Sequence, residues 1–154
     1  GFDVLKGTYR VVIKDEAKAE TGFLIGKFAN GDESRRFQIT CDVVDVLGES
    51  NGQAGRRLWL RYNEDEKGIK KLINDLFTAG LLDKVDKSSV DSLKVSLPDI
   101  AGSVAYLKAW GWTPEKSRDG KDLPESERKT VQQANFMSEK AVKKLTEKAG
   151  SSPF

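Results

Sequence analysis

The sequence has no histidine, one cysteine and one methionine among its 154 residues. Each shortage removes a class of chemistry. Without histidine there is no Ser-His-Asp triad, no Cys-His nucleophile pair and no histidine ligand for zinc. The single Cys41 can neither close an intramolecular disulfide nor build a four-cysteine zinc site, so nothing points to a secreted disulfide scaffold. Carboxylate chemistry, with or without a hard metal, is what remains for an enzyme. No apolar run approaches the ~18–20 residues of a membrane span. The opening GFDVLKGTYR also lacks the apolar stretch of a signal peptide. Charged residues make up 32% of the chain, against a usual ~25%. These features predict one soluble domain with a heavily charged surface, long enough to bury a core.

The net charge of +2 says little about partners, but its distribution says more. Residues 1–62 carry +1, residues 63–100 carry −2 and residues 101–154 carry +3. A mildly acidic middle with basic flanks is a weak form of a polyanion-binding pattern.

Period-2 alternation predicts the first strand at 8–14, with Tyr9, Val11 and Ile13 on one face. A polar, glycine-containing connection follows at 15–34. It holds Phe23-Leu24-Ile25 and Phe28, and parts of it could extend the strands. The second strand, 35–47, places Phe37, Ile39, Cys41 and Val43 inward. Its alternation shifts near Val44, where a bulge or bend is expected. After the turn GESNGQAG (48–55), the third strand at 56–62 alternates Leu58, Leu60 and Tyr62 with Arg57, Trp59 and Arg61. A helix is then expected. Asn63 or Asp65 can cap it, Ile69, Leu72, Ile73, Leu76 and Phe77 form one apolar stripe, and Gly80 fits just past its end. Residues 88–95 suit a short helical turn that Pro98 stops. The fourth strand is read at 103–113 and the fifth at 128–137, joined by a long polar loop at 114–127. A short terminal helix at 138–148 groups Ala141, Val142 and Leu145.

Five strands with a helix between the third and fourth predict a mainly β, five-stranded OB-fold barrel with a short C-terminal helix. The barrel would span residues 1–137, and the helix and tail 138–154. The two longest connections fall where such barrels hold oligonucleotides.

Three segments carry a resemblance to a known family. They are Gly7-Thr8-Tyr9-Arg10-Val11-Val12-Ile13, Gly55-Arg56-Arg57-Leu58-Trp59 and the helix KGIKKLINDLFTAGL at 67–81. With them the chain resembles the OB-fold single-stranded DNA-binding proteins of tailed bacteriophages over roughly residues 1–137. The resemblance implies a non-catalytic, DNA-coating role in replication or recombination, in the cytoplasm of an infected bacterium. Many such proteins end in an acidic tail with a terminal Phe that recruits replication partners. This chain ends Ser151-Ser152-Pro153-Phe154 without the acidic run.

Binding single strands without sequence preference needs cations along the phosphates and flat side chains against the bases. Arg57, Trp59 and Arg61 supply both from one strand face. Tyr106, Lys108, Trp110 and Trp112 repeat the pattern on the fourth strand. Lys116 and Arg118 in the long loop could close over the strand, as could Lys27 and Phe28 in the first connection. Arg35 and Arg36 stand near the base of that connection. Each assignment has a plainer alternative: a Trp packed under the helix, a solvated charge run, or Phe23-Leu24-Ile25 as ordinary core.

No metal or cofactor is called for. A nuclease would need converging carboxylates. Asp42 with Asp45, Asp15 with Glu16, and Glu64-Asp65-Glu66 lack motif spacing, and the last suits a helix start. The other rival is a protein-interaction module or phage structural component of the same barrel class. The terminal helix could mediate self-association in either case. Double-stranded DNA or RNA is a third class of partner.

Overall fold

A computed structural model describes residues 3–15, 20–117 and 119–148, the side chains of 146–148 excepted. Arg118 and the 149–154 tail, both assigned roles above, lie outside the described residues, as does Glu16. The strands are β1 (Gly7–Ile13), β2 (Gly22–Lys27), β3 (Glu33–Leu47), β4 (Arg57–Asn63), β5 (Val104–Trp112) and β6 (Val131–Met137). The helices are α1 (Glu66–Thr78), α2 (Val90–Ser96) and α3 (Glu139–Lys148), with short 3-10 turns at Leu82–Lys84, Leu97–Ile100 and Glu125–Glu127.

All six strands form one antiparallel sheet around β3. The first part of β3 pairs with β2 and the second with β1, while β4 pairs with residues 36–42 from the opposite edge. β1 also pairs with β5, and β5 with β6. The strand count differs from the five expected, because Gly22–Lys27 inside the first connection is itself a strand. Phe23, Leu24 and Ile25 have no alternation of their own, but they gain ladder partners in Phe37, Arg36 and Arg35. The expected irregularity near Val44 is a bulge. Arg10 faces Asp45 and Val11 faces Val43, which leaves Val44 without a partner.

The inward faces follow the alternation in the sequence. Tyr9, Val11 and Ile13 join Phe37, Ile39, Cys41, Val43, Leu58, Leu60 and Tyr62 in one core, closed by Leu72 and Leu76 of α1 and by Leu93, Leu97 and Ile100. α1 starts where expected. Asp65 caps it by accepting from Gly68 N at 2.6 Å, and Gly80 follows its end with φ +75°. Its buried stripe is narrower than the sequence suggests. Leu72 and Leu76 are covered, whereas Phe77, a helical step of about 100° further round, is 69% exposed. Pro98 stops α2 but opens the next 3-10 turn, where a missing N–H costs nothing.

No ladder joins β4 to β6 among the described residues, so pairing leaves the sheet unclosed. The N-terminal segment bridges part of that side. Arg56, just before β4, donates from Nη2 to the carbonyl of Asp3 at 2.9 Å. Gln132, at the start of β6, accepts from Leu5 N at 2.6 Å and donates to Leu5 O at 2.9 Å. Leu5 between them is buried in the core. No helix among the described residues is long and apolar enough to cross a membrane.

Candidate nucleic-acid interface

β4 supplies the first group of predicted residues. Because Leu58, Leu60 and Tyr62 point into the core, Arg57, Trp59 and Arg61 are left on the outer face. Trp59 keeps 45% of its surface accessible, and the Arg61 guanidinium lies 5.8 Å from its ring centroid. That is a cation–π arrangement. Arg61 is held there by donating from Nε to Gln38 Oε1 at 2.6 Å, across the ladder. Partial burial lowers the Arg61 pKa, and the charge of Arg36 lowers it further, against the opposing charge of Glu20. Two guanidinium groups therefore share this part of the face, as diagonal neighbours on β3 and β4.

The other cations near Trp59 are held by carboxylates. Arg57 donates to Asp42 at 3.2 Å, and Lys14 pairs with the other oxygen of the same carboxylate at 2.9 Å. Burial pushes the Asp42 carboxyl up. The hydrogen bonds and charges of Lys14 and Arg57 outweigh it and hold the group below the usual range. Arg35 is engaged as well, with Glu64 at 2.6 Å and Glu33 at 3.5 Å. Lys94 of α2 reaches the second oxygen of Glu64 at 2.5 Å, and its ammonium sits 4.3 Å from the Phe23 ring centroid. Arg35 thus belongs to a clamp of Phe23, Glu64 and Lys94, on the opposite side of β3 from Arg36.

β5 supplies the second group. Lys108 and Trp112 are exposed, Tyr106 and Trp110 half-buried, and all four lie opposite the buried Ala105, Leu107 and Ala109. Trp112, 56% exposed, faces Val131 across the β5–β6 ladder, where that hairpin runs out into the long loop. The loop is more ordered than its composition suggests. Lys116 and Asp122 form an isolated bridge, and Ser117 N donates to Lys121 O at 2.8 Å. Lys116 is exposed on this small arm.

The ladders also give the register between the two groups. Arg57 faces Asp42, Asp42 faces Val12, and Val12 faces Val104. Trp59 lies just beyond that row on one side, and Trp112 lies far along β5 on the other. The sheet therefore does not bring them together through β3 and β1. Lys27 and Phe28 stand at the tip of the β2–β3 hairpin, Lys27 exposed opposite Glu33, and Phe28 half-buried with its N–H donating to Asp32 O at 2.8 Å.

Several of the carboxylates singled out in the sequence have structural partners. Asp45 pairs with Arg10 at 3.6 Å, Glu66 with Lys70 at 3.1 Å, and Asp65 caps α1. Among the described residues, no three of Asp, Glu and Cys converge as a metal-binding group. Cys41 is buried, and burial, with Asp42 adding to it, pushes its thiol pKa well up. In α3, Val142 is buried and Leu145 is partly exposed.

Two features of this region were not read from the sequence, where Asp42 figured only as a candidate metal-site carboxylate and Ser34 not at all. Asp42 neutralises the ground beside Trp59, and Ser34 lies buried on the same face as Arg36. The alternation of β3 carried the second signal, since Ser34, Arg36 and Gln38 share parity. No protein-family model matches the chain, and no curated protein is similar to it.

Proposed function

We propose that this chain is a non-catalytic single-stranded DNA-binding protein that coats and protects the strand during replication or recombination of a phage genome. Its setting would be the cytoplasm of the infected bacterium, with replication or recombination proteins as further partners. The reading treats the sheet as an OB-type barrel in which β2 is an addition within the first connection. The order β4-β3-β1-β5-β6, with α1 between β4 and β5, supports it, as does the approach of β4 and β6 to within 8 Å between Cα atoms.

The observation that carries the functional reading is Trp59, half-accessible on the outer face of β4 and braced by Arg61. A large aromatic braced by a cation and open to solvent suits stacking on an unpaired base. Each stacked base contributes roughly 1–3 kcal/mol. With Trp112 as a second platform and phosphate contacts beside them, roughly micromolar binding follows after association costs. No cofactor enters this mechanism, and α3 offers a route to self-association.

The test uses the three native tryptophans. Titration with an oligo-dT of about 30 nucleotides should quench their emission, less so at high salt and not with a duplex. Unchanged emission and no mobility shift at low salt would favour the interaction-module reading instead. That alternative draws on Phe77 and on Val95, which is 80% exposed on α2.

A further inference from the structure

Among the described residues, two buried polar side-chain atoms have no hydrogen-bond partner, and both lie on one face of β3. They are Ser34 Oγ and Arg36 Nε. Buried polar groups are nearly always paired, and an exception needs a reason, such as strain, a functional role or a bound water or ion. Two such groups two residues apart, on the same side of one strand, call for one explanation.

The surroundings narrow the chemistry. Both groups can donate, the Arg36 N–H obligatorily and the Ser34 hydroxyl by rotation. Among the described residues no carboxylate forms an ion pair with Arg36, whereas Arg35 on the opposite side of the strand has two. Arg61 lies diagonally across β4, and its nearest hydrogen-bond partner is the neutral Gln38. Arg36 and Arg61 thus bring two guanidinium groups to this side, with Glu20 as the opposing charge near Arg61. β2 leaves room beside the donors, because Gly26 faces Ser34 in the ladder. A side chain at Gly26 would meet only Arg36 Nη2, at 3.9 Å from its first carbon.

We propose that Ser34 and Arg36, beside the bare backbone of Gly26, form a subsite for a phosphate of the bound strand. One phosphate oxygen accepts from Arg36 Nε–H, and Ser34 Oγ–H donates to the same group. This rests on the single-strand reading above and assigns it a position, with Arg36 four ladder pairs from the row of Trp59. The path of the strand then runs from the β4 face over the β2–β3 hairpin, where Phe28 continues the alternation of Leu24 and Gly26.

The experiment compares the wild type with Arg36→Gln, Ser34→Ala and Gly26→Val for oligo-dT binding between 50 and 200 mM salt. In parallel, the Arg36 Nε resonance is followed by NMR as inorganic phosphate is added. Arg36→Gln should weaken binding about tenfold or more and flatten the salt slope by about 0.7, the value for one phosphate on a single strand. Ser34→Ala should weaken binding while leaving the melting temperature equal or higher, because it deletes an unpaired buried hydroxyl. A packing role for Ser34 would do the reverse. Gly26→Val changes no charge, and Gly26 does not sit in the left-handed region; it should weaken binding by filling the space beside the donors that a phosphate needs.

Movement of the Nε resonance with phosphate, together with the slope change, would support the subsite. Oligo-dT binding with unchanged slopes and a stationary resonance would overturn the subsite and leave the single-strand reading standing. Movement with phosphate in a protein that ignores oligo-dT would overturn the strand as the source of that phosphate. Neither response would overturn both.

Discussion

Replacing Asp42 by Asn should tighten DNA binding while weakening the fold slightly. The Asp42 carboxylate holds Lys14 at 2.9 Å and Arg57 at 3.2 Å on the face that carries Trp59. A phosphate approaching either cation competes with that carboxylate. The amide keeps the shape and removes the charge, which releases two cations. Each new phosphate contact steepens the salt slope by about 0.7 on a single strand. Over the fourfold range from 200 to 50 mM, that is roughly 2.6-fold in affinity for one cation and roughly sevenfold for both. The cost in stability is small, because the three side chains keep 24–39% of their surface accessible. Such pairs contribute about 0–1 kcal/mol each, so loss of both should lower the melting temperature by no more than about 4–8 °C. The carboxyl is held below its usual range, so its contribution is present above about pH 4 and is lost as pH falls through the lowered value. Below that, variant and wild type should converge in stability. The assay is tryptophan quenching by oligo-dT at several salt concentrations. A slope in Asp42→Asn equal to or shallower than that of the wild type would refute the competition argument.

Other expectations concern the fold. Tyr62 donates to Asp75 at 2.6 Å from an almost fully buried ring. Tyr62→Phe should cost about 1–3 kcal/mol, read as a lower melting temperature, and an unchanged value would mean that water replaces the phenol. Burial, reinforced by Asp75, pushes the Tyr62 phenol up. Its contribution should therefore be intact below pH ~10 and decline above it, and an alkaline stability profile with the same loss in Tyr62→Phe would contradict this. Gly68→Ala should destabilise by roughly 1–3 kcal/mol, although alanine is the better helix former. Its new methyl would land on the carbonyl of Asn63, where β4 turns into α1. A raised urea midpoint would show that this turn can yield.

The strands that carry strict alternation were legible because one face is buried. Leu58, Leu60 and Tyr62 of β4 are all in the core, and the disturbed rhythm at Val44 marked a real bulge. β2 was not legible, since Phe23-Leu24-Ile25 between glycines has no period and is a strand through its pairing with β3. Phe77 fitted a helical stripe, but α1 buries only a narrow band around Leu72 and Leu76. The candidate cations show the same division. Alternation told which face Arg57, Arg61, Lys108 and Trp112 occupy. It could not tell that Arg57 is held by Asp42 and Arg35 by Glu64, partners 15 and 29 residues away. Those pairings depend on ladder register, and register across connections of this length is not encoded locally. Ser34 was overlooked for a related reason: a serine matters here through the partner it lacks, which only packing reveals.

The central claim is that Trp59 of this chain stacks on bases of a single DNA strand. The most direct measurement is the dissociation constant of the wild type and of Trp59→Ala for an oligo-dT of about 30 nucleotides, with melting temperatures taken alongside. Trp59 is half-exposed on the sheet, so its loss should barely change the melting temperature. Loss of one stacked base should weaken binding by roughly 5- to 150-fold. A wild type that does not bind the oligonucleotide, or a folded variant that binds it equally well, would contradict the account.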